Sequence, residues 1–361
     1  MNTVLYPFIE ETFCEETEGA VTEICKLGHS GIVNPMFIVN RHGRITDLFK
    51  RERVSFFELG IKRLVGTNDF YLKTLFRLFS SSMPLFIFLR THQINAVHFH
   101  DASSALSWAS AVKMYRIPFI VSLQTPEKYS RYALLTLKDA ARLTCPTQTV
   151  KDFLPSVIRD RVKIMPTMES VPFVNEKQAL KIRKDFFKKE RLDEDTVILA
   201  AETGENLSHI EQFARALSEK TGHKVLIFIN RAGENTENLR FVEKDFSDIF
   251  PLCRAFAGLK PMCMNSATSY RAMLSGLPVF ALAEGAYPEF IFENETGFLM
   301  RTFKPEEQAE IVAQKLADAE QISKTGKQAK ESMDIMFKNT ETLWKSMFAE
   351  LWASRKGFSK K

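Results

Sequence analysis

The chain has 361 residues, long enough for two domains, and its hydrophobic fraction of 45% and charged fraction of 26% are typical of a soluble globular protein. The longest uninterrupted apolar run, 83–89, is too short to cross a bilayer, and no signal-peptide pattern stands at the N-terminus. The five cysteines are an odd number without a Cys-x-x-Cys pair, which argues against a disulfide framework and a structural zinc site and favours a reducing cytoplasm.

The first part of the chain alternates β-type runs with helical patterns, which predicts a parallel sheet covered by helices on both faces. The predicted strands are 3–9, 35–40, 95–100, 118–123, 142–146 and 162–166, and the predicted helices are one that ends near Leu27 and one at 103–115. Gly28 is predicted to end the first helix, because glycine adopts the left-handed C-cap conformation without a steric penalty.

The alternation breaks over residues 169–195, which are charged and lack strand character, so a domain boundary is predicted near Pro172. A second series follows, with predicted strands at 196–201, 224–229, 255–259 and 278–282 and helices at 210–220, 269–275 and 306–336. An amphipathic last helix is predicted at 339–352, followed by a basic tail. The predicted organisation is an α/β fold with domains at 1–171 and 172–337 and a terminal segment at 338–361.

Residues 41–92 are basic and rich in aromatic side chains, with ten Lys or Arg against four Asp or Glu. Such a stretch can lie on an anionic membrane surface, or it can form amphipathic helices that bury the aromatic side chains and expose the charges. Nucleic-acid binding is the weakest alternative, because no recognised binding motif accompanies the charge. We therefore expect no nucleic-acid partner.

Two parts of the sequence carry a family likeness. The first is NAVHFHDASSAL at 95–106, and the second combines RAMLSGLPVF at 271–280, EGAYPEFI at 284–291 and NETGFLM at 294–300. In order and spacing they resemble the retaining glycosyltransferases of family 4. The resemblance implies a GT-B fold of two facing doubly wound Rossmann-like domains, with the last helix crossing back onto the N-terminal domain.

The same resemblance implies a nucleotide-sugar donor held by the C-terminal domain, without a metal ion. The family's basic pair falls on Glu202-Thr203 and Ser208-His209, and its two glutamates fall on Cys263 and Arg271. A thiol accepts hydrogen bonds from sugar hydroxyls much more weakly than a carboxylate, and a guanidinium has no acceptor at all. Glu202 would repel a diphosphate. The expectation is a degenerate donor site, so no cofactor is predicted and a nucleotide sugar is not supported by the site residues.

An anion site remains an open alternative beside an ordinary capped helix. Asn265 or Ser266 is a natural N-cap, and free amides at such a helix start can take a phosphate. The phosphate-binding candidates in both domains are Gly19, Asn265, Ser266, Thr268, Ser269, Arg271 and Glu289. Of these, Gly19 belongs to a stretch that resembles the family's glycine-rich loop, where Glu18 would crowd a ligand.

His98 and His100 alternate along a predicted strand, so their side chains point to the same face. His100 matches the family position that faces the sugar or the acceptor, which makes it the single catalytic candidate. A buried, hydrogen-bonded histidine pair is the competing interpretation. A metal site is not predicted, because no third ligand lies nearby.

Three functions stay open at this point. The chain is a non-catalytic or impaired glycosyltransferase-like protein of glycan or glycoconjugate assembly, partnered with an active enzyme; or it is a divergent glycosyltransferase that uses a nucleotide sugar; or it is a membrane-surface scaffold acting through residues 41–92. The predicted location is the cytoplasm, with a peripheral position at the inner membrane face as the alternative.

Overall fold

The structure of the protein is a computed structural model that describes residues 2–9, 15–60, 83–125, 127–171, 174–202, 207–242, 246–260 and 267–358. The chain forms two compact units. The first unit is built from Met1–Met168 together with Phe337–Lys361, and the second from Glu169–Met262 together with Ser266–Met336. Each unit has its own sheet and its own hydrophobic core.

The first unit contains a seven-stranded parallel sheet in the order β3-β2-β1-β4-β5-β6-β7. Its strands are β1 (Thr3–Phe8), β2 (Asn34–Val39), β3 (Phe56–Glu58), β4 (Ala96–Phe99), β5 (Phe119–Ser122), β6 (Arg142–Cys145) and β7 (Val162–Ile164). Its helices are α1 (Glu15–His29), α2 (Arg44–Arg51), α3 (83–91), α4 (Ala102–Met114), α5 (Arg131–Lys138), α6 (Gln148–Phe153) and α7 (Ser156–Arg159). The strand order reverses between β1 and β4, which is the point where doubly wound sheets bind ligands.

Local sequence explains why these elements begin where they do. The central strands are continuous apolar runs, as expected of a parallel sheet covered on both faces, and all four residues of β4 and of β5 are buried. Asp101 caps α4 by accepting a hydrogen bond from the Ser104 amide at 2.7 Å, and Ser130 and Thr147 cap α5 and α6 in the same way. One core joins α3 to α7 with the sheet.

The second unit repeats the same topology with six parallel strands in the order β10-β9-β8-β11-β12-β13. Its strands are β8 (Val197–Glu202), β9 (Val225–Ile229), β10 (Leu239–Phe241), β11 (Ala255–Gly258), β12 (Val279–Leu282) and β13 (Gly297–Met300). Its helices are α8 (Glu176–Glu190), α9 (Leu207–Thr221), α10 (Ala267–Leu274) and α11 (Pro305–Leu316). The last helix, α12 (Ala319–Phe358), starts in this unit and ends in the first. Two doubly wound parallel sheets confirm the predicted fold class.

The predicted end of the first helix was wrong. The first helix continues through Gly28 to His29, and Gly31 takes the left-handed conformation with a φ of 71° instead. Gly28 is small for a different reason, because a Cβ there would lie 3.0 Å from the Pro35 ring. Gly297, the first residue of β13, is also closely packed: its Cβ would lie 2.5 Å from the Val279 carbonyl oxygen, so glycine lets the two strands pair closely.

The last helix differs from the prediction in its extent. The predicted helices at 306–336 and 339–352 are instead α11, which ends at Leu316, and one continuous helix of 40 residues. No proline or glycine interrupts the chain between Gly326 and Phe337, so nothing in the local sequence stops helix propagation there.

The basic aromatic stretch 41–92 lies only partly within the described residues, because 61–82 falls outside them. In the described part, Phe49 and Phe88 are buried in the core, whereas Phe57 on the edge strand β3 is exposed. Among the described residues, no helix has both the length and the apolar character that a membrane-spanning segment needs.

Candidate functional site

The reversal of strand order in the second unit places two charged residues side by side. Glu202 ends β8 and pairs in register with Gly258 at the end of β11. Lys260 follows that strand end, and its Nζ lies 2.9 Å from Oε1 of Glu202. The charge of Glu202, which the sequence alone presented as repulsive to a diphosphate, is therefore compensated by a lysine that the motif comparison did not single out.

A buried tyrosine stands behind this ion pair. Tyr287 lies on the short 3-10 turn after β12, and its side chain packs against Gly258 so closely that a Cβ at this glycine would lie 2.3 Å from the tyrosine oxygen. Burial and the neighbouring Glu202 carboxylate raise the pKa of Tyr287 well above its usual value. The phenol therefore stays protonated, and Tyr287 is an uncharged side chain next to Glu202.

The candidate phosphate-binding residues of α10 are core residues. All eight residues of this helix are buried, including Thr268, Ser269 and Arg271. Nε of Arg271 donates to Oε2 of Glu169 at 3.0 Å, and the exposed fractions of these two side chains are 10% and 0%. Arg271 is thus held by a carboxylate of the same unit.

Glu289 belongs to the same region of the second unit. It ends the short 3-10 turn that begins at Tyr287, and its side chain is exposed. Burial raises the pKa of Tyr270, and the negative charges of Glu289 and Glu169 raise it further. Glu169 and Glu202 are each paired with a cation, Arg271 and Lys260 respectively, whereas Glu289 contributes a further negative charge near Tyr270.

Some predicted donor-site positions lie outside the described residues: Thr203, Cys263, Asn265 and Ser266. The N-cap interpretation of α10 therefore stays a prediction. Ser208 lies exposed in the first turn of α9, and its neighbour His209 is hydrogen-bonded to Gln308 of α11 at 2.9 Å. This hydrogen bond joins α9 to α11 within the second unit.

In the first unit, a polar network crosses the sheet next to the reversal of strand order. Nε2 of His98 is 2.7 Å from Oγ of Ser122, which in turn is 2.8 Å from Oγ1 of Thr144. These three buried side chains come from β4, β5 and β6, so the network ties neighbouring strands together. His98 also packs against Trp344 of α12, with ring centroids 5.1 Å apart.

His100 lies one residue beyond β4, and its ring is 4.3 Å from that of His98 between centroids. It stacks on Phe8 at the end of β1, with centroids 5.3 Å apart and an interplanar angle of 11°. Neither ring nitrogen of His100 has a hydrogen-bond partner among the described residues, and both are buried. Burial lowers the pKa of His100 to about 3, and it lowers the pKa of His98 well below the usual value, so both rings are neutral near pH 7.

Gly19 lies in α1 and not in a loop after the first strand, because the helix already begins at Glu15. Glu18 is turned to α2, where it forms an ion pair with Arg51. Among the described residues, no group of three metal-ligating side chains comes together in either unit.

The comparison with known proteins rests on structure alone, since no model of a protein family matches the sequence and no curated protein is significantly similar to it. A glycosyltransferase from Rickettsia africae superposes with a TM-score of 0.71 at 13% identity, over 96% of this chain and 98% of that one. HepE from Anabaena in complex with UDP-glucose gives 0.69 at 14%, over 98% and 100%. The UDP-GlcNAc 2-epimerase from Neisseria meningitidis bound to UDP-GlcNAc gives 0.61 at 14%, over 96% and 100%.

These similarities show a GT-B fold. The two doubly wound units, whose strands follow the same order, agree with that fold. The fold is common to sugar transfer and to epimerisation, so it does not select the reaction. The sequence motifs predicted the fold correctly, but they did not predict a role for Glu169 or Lys260. Each binds a residue distant in sequence, and only the position of Lys260 directly after a strand was a usable signal.

Proposed function

We propose that this chain is a glycosyltransferase-like protein of glycan or glycoconjugate assembly that does not transfer a sugar itself and acts as the non-catalytic partner of an active enzyme. The observation that carries the proposal is the buried ion pair between Arg271 and Glu169. A guanidinium at the position of a ribose-holding glutamate is the wrong partner for sugar hydroxyls. Because Arg271 is already paired with Glu169, a phosphate that bound this arginine would have to displace the carboxylate.

Electrostatics around the carboxyl ends of β8 and β11 supports the same conclusion. A nucleotide-diphosphate leaving group needs positive charge, and single preorganised contacts of this kind are worth about 3 kcal/mol of transition-state stabilisation. Here Lys260 and Arg271 are each paired with a carboxylate, and Glu289 adds a further negative charge. Several such contacts are absent together, so sugar transfer by the family's mechanism is expected to be slower by many orders of magnitude.

Isothermal titration calorimetry of the full chain with UDP-, GDP- and ADP-sugars tests the proposal. We expect no binding up to about 1 mM, which corresponds to a binding free energy weaker than about −4 kcal/mol. Micromolar binding together with sugar transfer to an acceptor, or with hydrolysis of the donor, would overturn it.

A genetic experiment separates a partner role from catalysis. In cells that lack the chain, a Lys260→Gln variant is expected to restore the wild-type glycan as well as a Lys224→Gln control. Lys224 is exposed in the same unit but lies before the amino end of β9, at the opposite edge of the sheet from Lys260. A glycan defect specific to Lys260→Gln would contradict a non-catalytic role, provided that both variants accumulate to equal levels.

One observation favours the second candidate, an active divergent glycosyltransferase. Lys260 stands directly beyond β11, its side chain is 39% exposed, and parallel sheets bind ligands at this edge. If a diphosphate displaced Glu202 from Lys260, the lysine would supply one positive charge to it. This candidate predicts micromolar binding of one nucleotide sugar that Lys260→Gln abolishes and Lys224→Gln leaves unchanged.

A further inference from the structure

The helices on one side of the first sheet carry exposed apolar side chains on their outward surface, which we call the outer helical face. Its members come from five helices, α3 to α7, and each is at least 43% exposed: Met83, Ile87, Met114, Leu135, Phe153 and Val157. Single exposed apolar residues are ordinary, but one from every helix of a layer gives a broad apolar surface.

The helices that carry these side chains are packed against one another. The Phe86 ring of α3 contacts Tyr115, directly after α4, with centroids 6.2 Å apart. Lys113 of α4 forms an ion pair with Asp139 at the end of α5. Each of α3 to α7 contributes buried residues to one core. The exposed apolar side chains are therefore carried by helices that share this core.

The part of the chain that contains this layer is basic. Residues 83–161 hold ten Lys or Arg and five Asp or Glu, a surplus of five positive charges. Arg90 and Arg116 are exposed and form no ion pair with any described residue. Their charges remain available to a partner.

We propose that the outer helical face binds the surface of an anionic membrane. Cationic side chains attract anionic headgroups, and apolar side chains at the same level enter the boundary between headgroups and acyl chains. Nucleic acid would use the cations but leave the apolar side chains in water. An electrically neutral protein partner would use the apolar side chains but leave the cations without a counter-charge. This inference does not depend on the fate of the nucleotide-sugar site.

Co-sedimentation with vesicles tests the proposal on the full chain. The expected result is binding to vesicles of phosphatidylcholine mixed with phosphatidylglycerol, little binding to phosphatidylcholine alone, and loss of binding at high salt. A double variant, Ile87→Ser with Met114→Ser, should weaken binding to the mixed vesicles at least tenfold. The matched control is Leu180→Ser with Phe303→Ser, whose side chains are 59% and 50% exposed in the second unit.

The charge contribution has its own variants. Each basic residue near the surface is worth about a fivefold change in partitioning, so Arg116→Gln should reduce binding by about that factor. Arg231→Gln, an exposed position in the second unit, should leave it unchanged. No binding to anionic vesicles, binding that ignores lipid charge, or equal losses in the Leu180/Phe303 control would each overturn the proposal. All the substituted side chains are exposed, so these variants are expected to fold.

Discussion

The neutral histidine pair of the first unit couples the stability of this unit to pH. His100 titrates near 6.5 in an unfolded chain and near 3 in the folded unit, where burial disfavours its charged form. Between these two values the unfolded chain binds a proton that the folded chain does not bind. The free energy of unfolding therefore rises with pH through this window and falls as the solution becomes more acidic. His98, whose pKa is lowered in the same direction, adds to the effect.

We predict that His100 alone lowers the free energy of unfolding by about 2 kcal/mol when the pH falls from about 7.5 to about 5. A His100→Gln variant should lose correspondingly less stability over this range, and His29→Gln, at an exposed position at the end of α1, should behave like the wild type. Urea unfolding followed by tryptophan fluorescence measures this directly, because all three tryptophans (Trp108, Trp344 and Trp352) lie in the first unit. Equal pH dependence in the wild type and His100→Gln would contradict it.

The ion pair between Arg271 and Glu169 gives a second prediction at the residue scale. Removing one partner leaves a buried charge without its counter-charge, which costs about 3 to 5 kcal/mol, whereas replacing both partners with apolar residues is often neutral. Glu169→Leu should therefore destabilise the second unit strongly, and Glu169→Leu combined with Arg271→Met should recover most of the loss. Thermal unfolding followed by circular dichroism, read as a double-mutant cycle, measures the coupling. Purely additive effects would show that the pair carries no specific interaction energy.

The sequence revealed these sites unevenly. The alternation of His98 and His100 along a strand was sufficient to predict that their rings share one face, and the centroid distance of 4.3 Å agrees. The partners of the charged residues were not predictable, because Glu169 and Arg271 are 102 positions apart and no local pattern encodes a contact of that range. Without Glu169, a free Arg271 assisting a phosphate was a reasonable expectation.

At the scale of the elements, two glycines allow α12 to pack closely against the turn that follows α10. Gly326 faces Gly276, and a Cβ at Gly326 would overlap severely with the Gly276 carbonyl oxygen. Gly276 has a φ of 78°, so its own carbonyl is fixed by a left-handed turn. The helix can lie on the turn only because position 326 has no side chain.

We predict that Gly326→Ala destabilises the second unit by about 1 to 3 kcal/mol, the usual cost of overpacking. In an exposed helix the same substitution would stabilise by about 1 kcal/mol, so the sign of the effect reports the contact. Lys327→Ala, at the exposed neighbouring position, is expected to be nearly neutral. Thermal unfolding of the three proteins measures the difference, and a stabilised Gly326→Ala variant would show that the turn moves away at little cost.

Elements with strong patterns were predicted close to their observed bounds, whereas those defined by context were not. Apolar runs such as 95–100 and 278–282 became β4 and β12, since continuous burial leaves a plain signal in the sequence. The edge strand β3 and the helix α2 were not predicted, because short, half-exposed elements carry little periodicity. The end of α1 was misplaced because Gly28 serves a close approach to Pro35 and Gly31 serves the turn.

At the scale of the whole molecule, the last segment of the chain, from Phe337 onward, contributes buried side chains to the first unit. Five large apolar side chains of the last segment are buried: Phe337, Trp344, Met347, Phe348 and Leu351. Trp344 packs on His98, Phe337 lies under the ammonium group of Lys26, and Glu350 pairs with Arg142 and Lys163. At about 1.5 to 3 kcal/mol for each buried apolar side chain, the segment contributes roughly 10 kcal/mol, which is as large as the whole stability of a typical domain.

The two units should therefore behave differently when expressed apart. A fragment of residues 169–336 contains the whole described part of the second unit and is expected to unfold cooperatively on heating. A fragment of residues 1–168 lacks the last segment, so the face of its sheet that carries Tyr6 and His98 loses Trp344 as cover, and we expect no cooperative transition by circular dichroism. Cooperative unfolding of fragment 1–168 on its own would show that the terminal helix docks on a domain already stable without it. The burial of Trp344 would then contribute to the attachment of the helix and not to the folding of the unit.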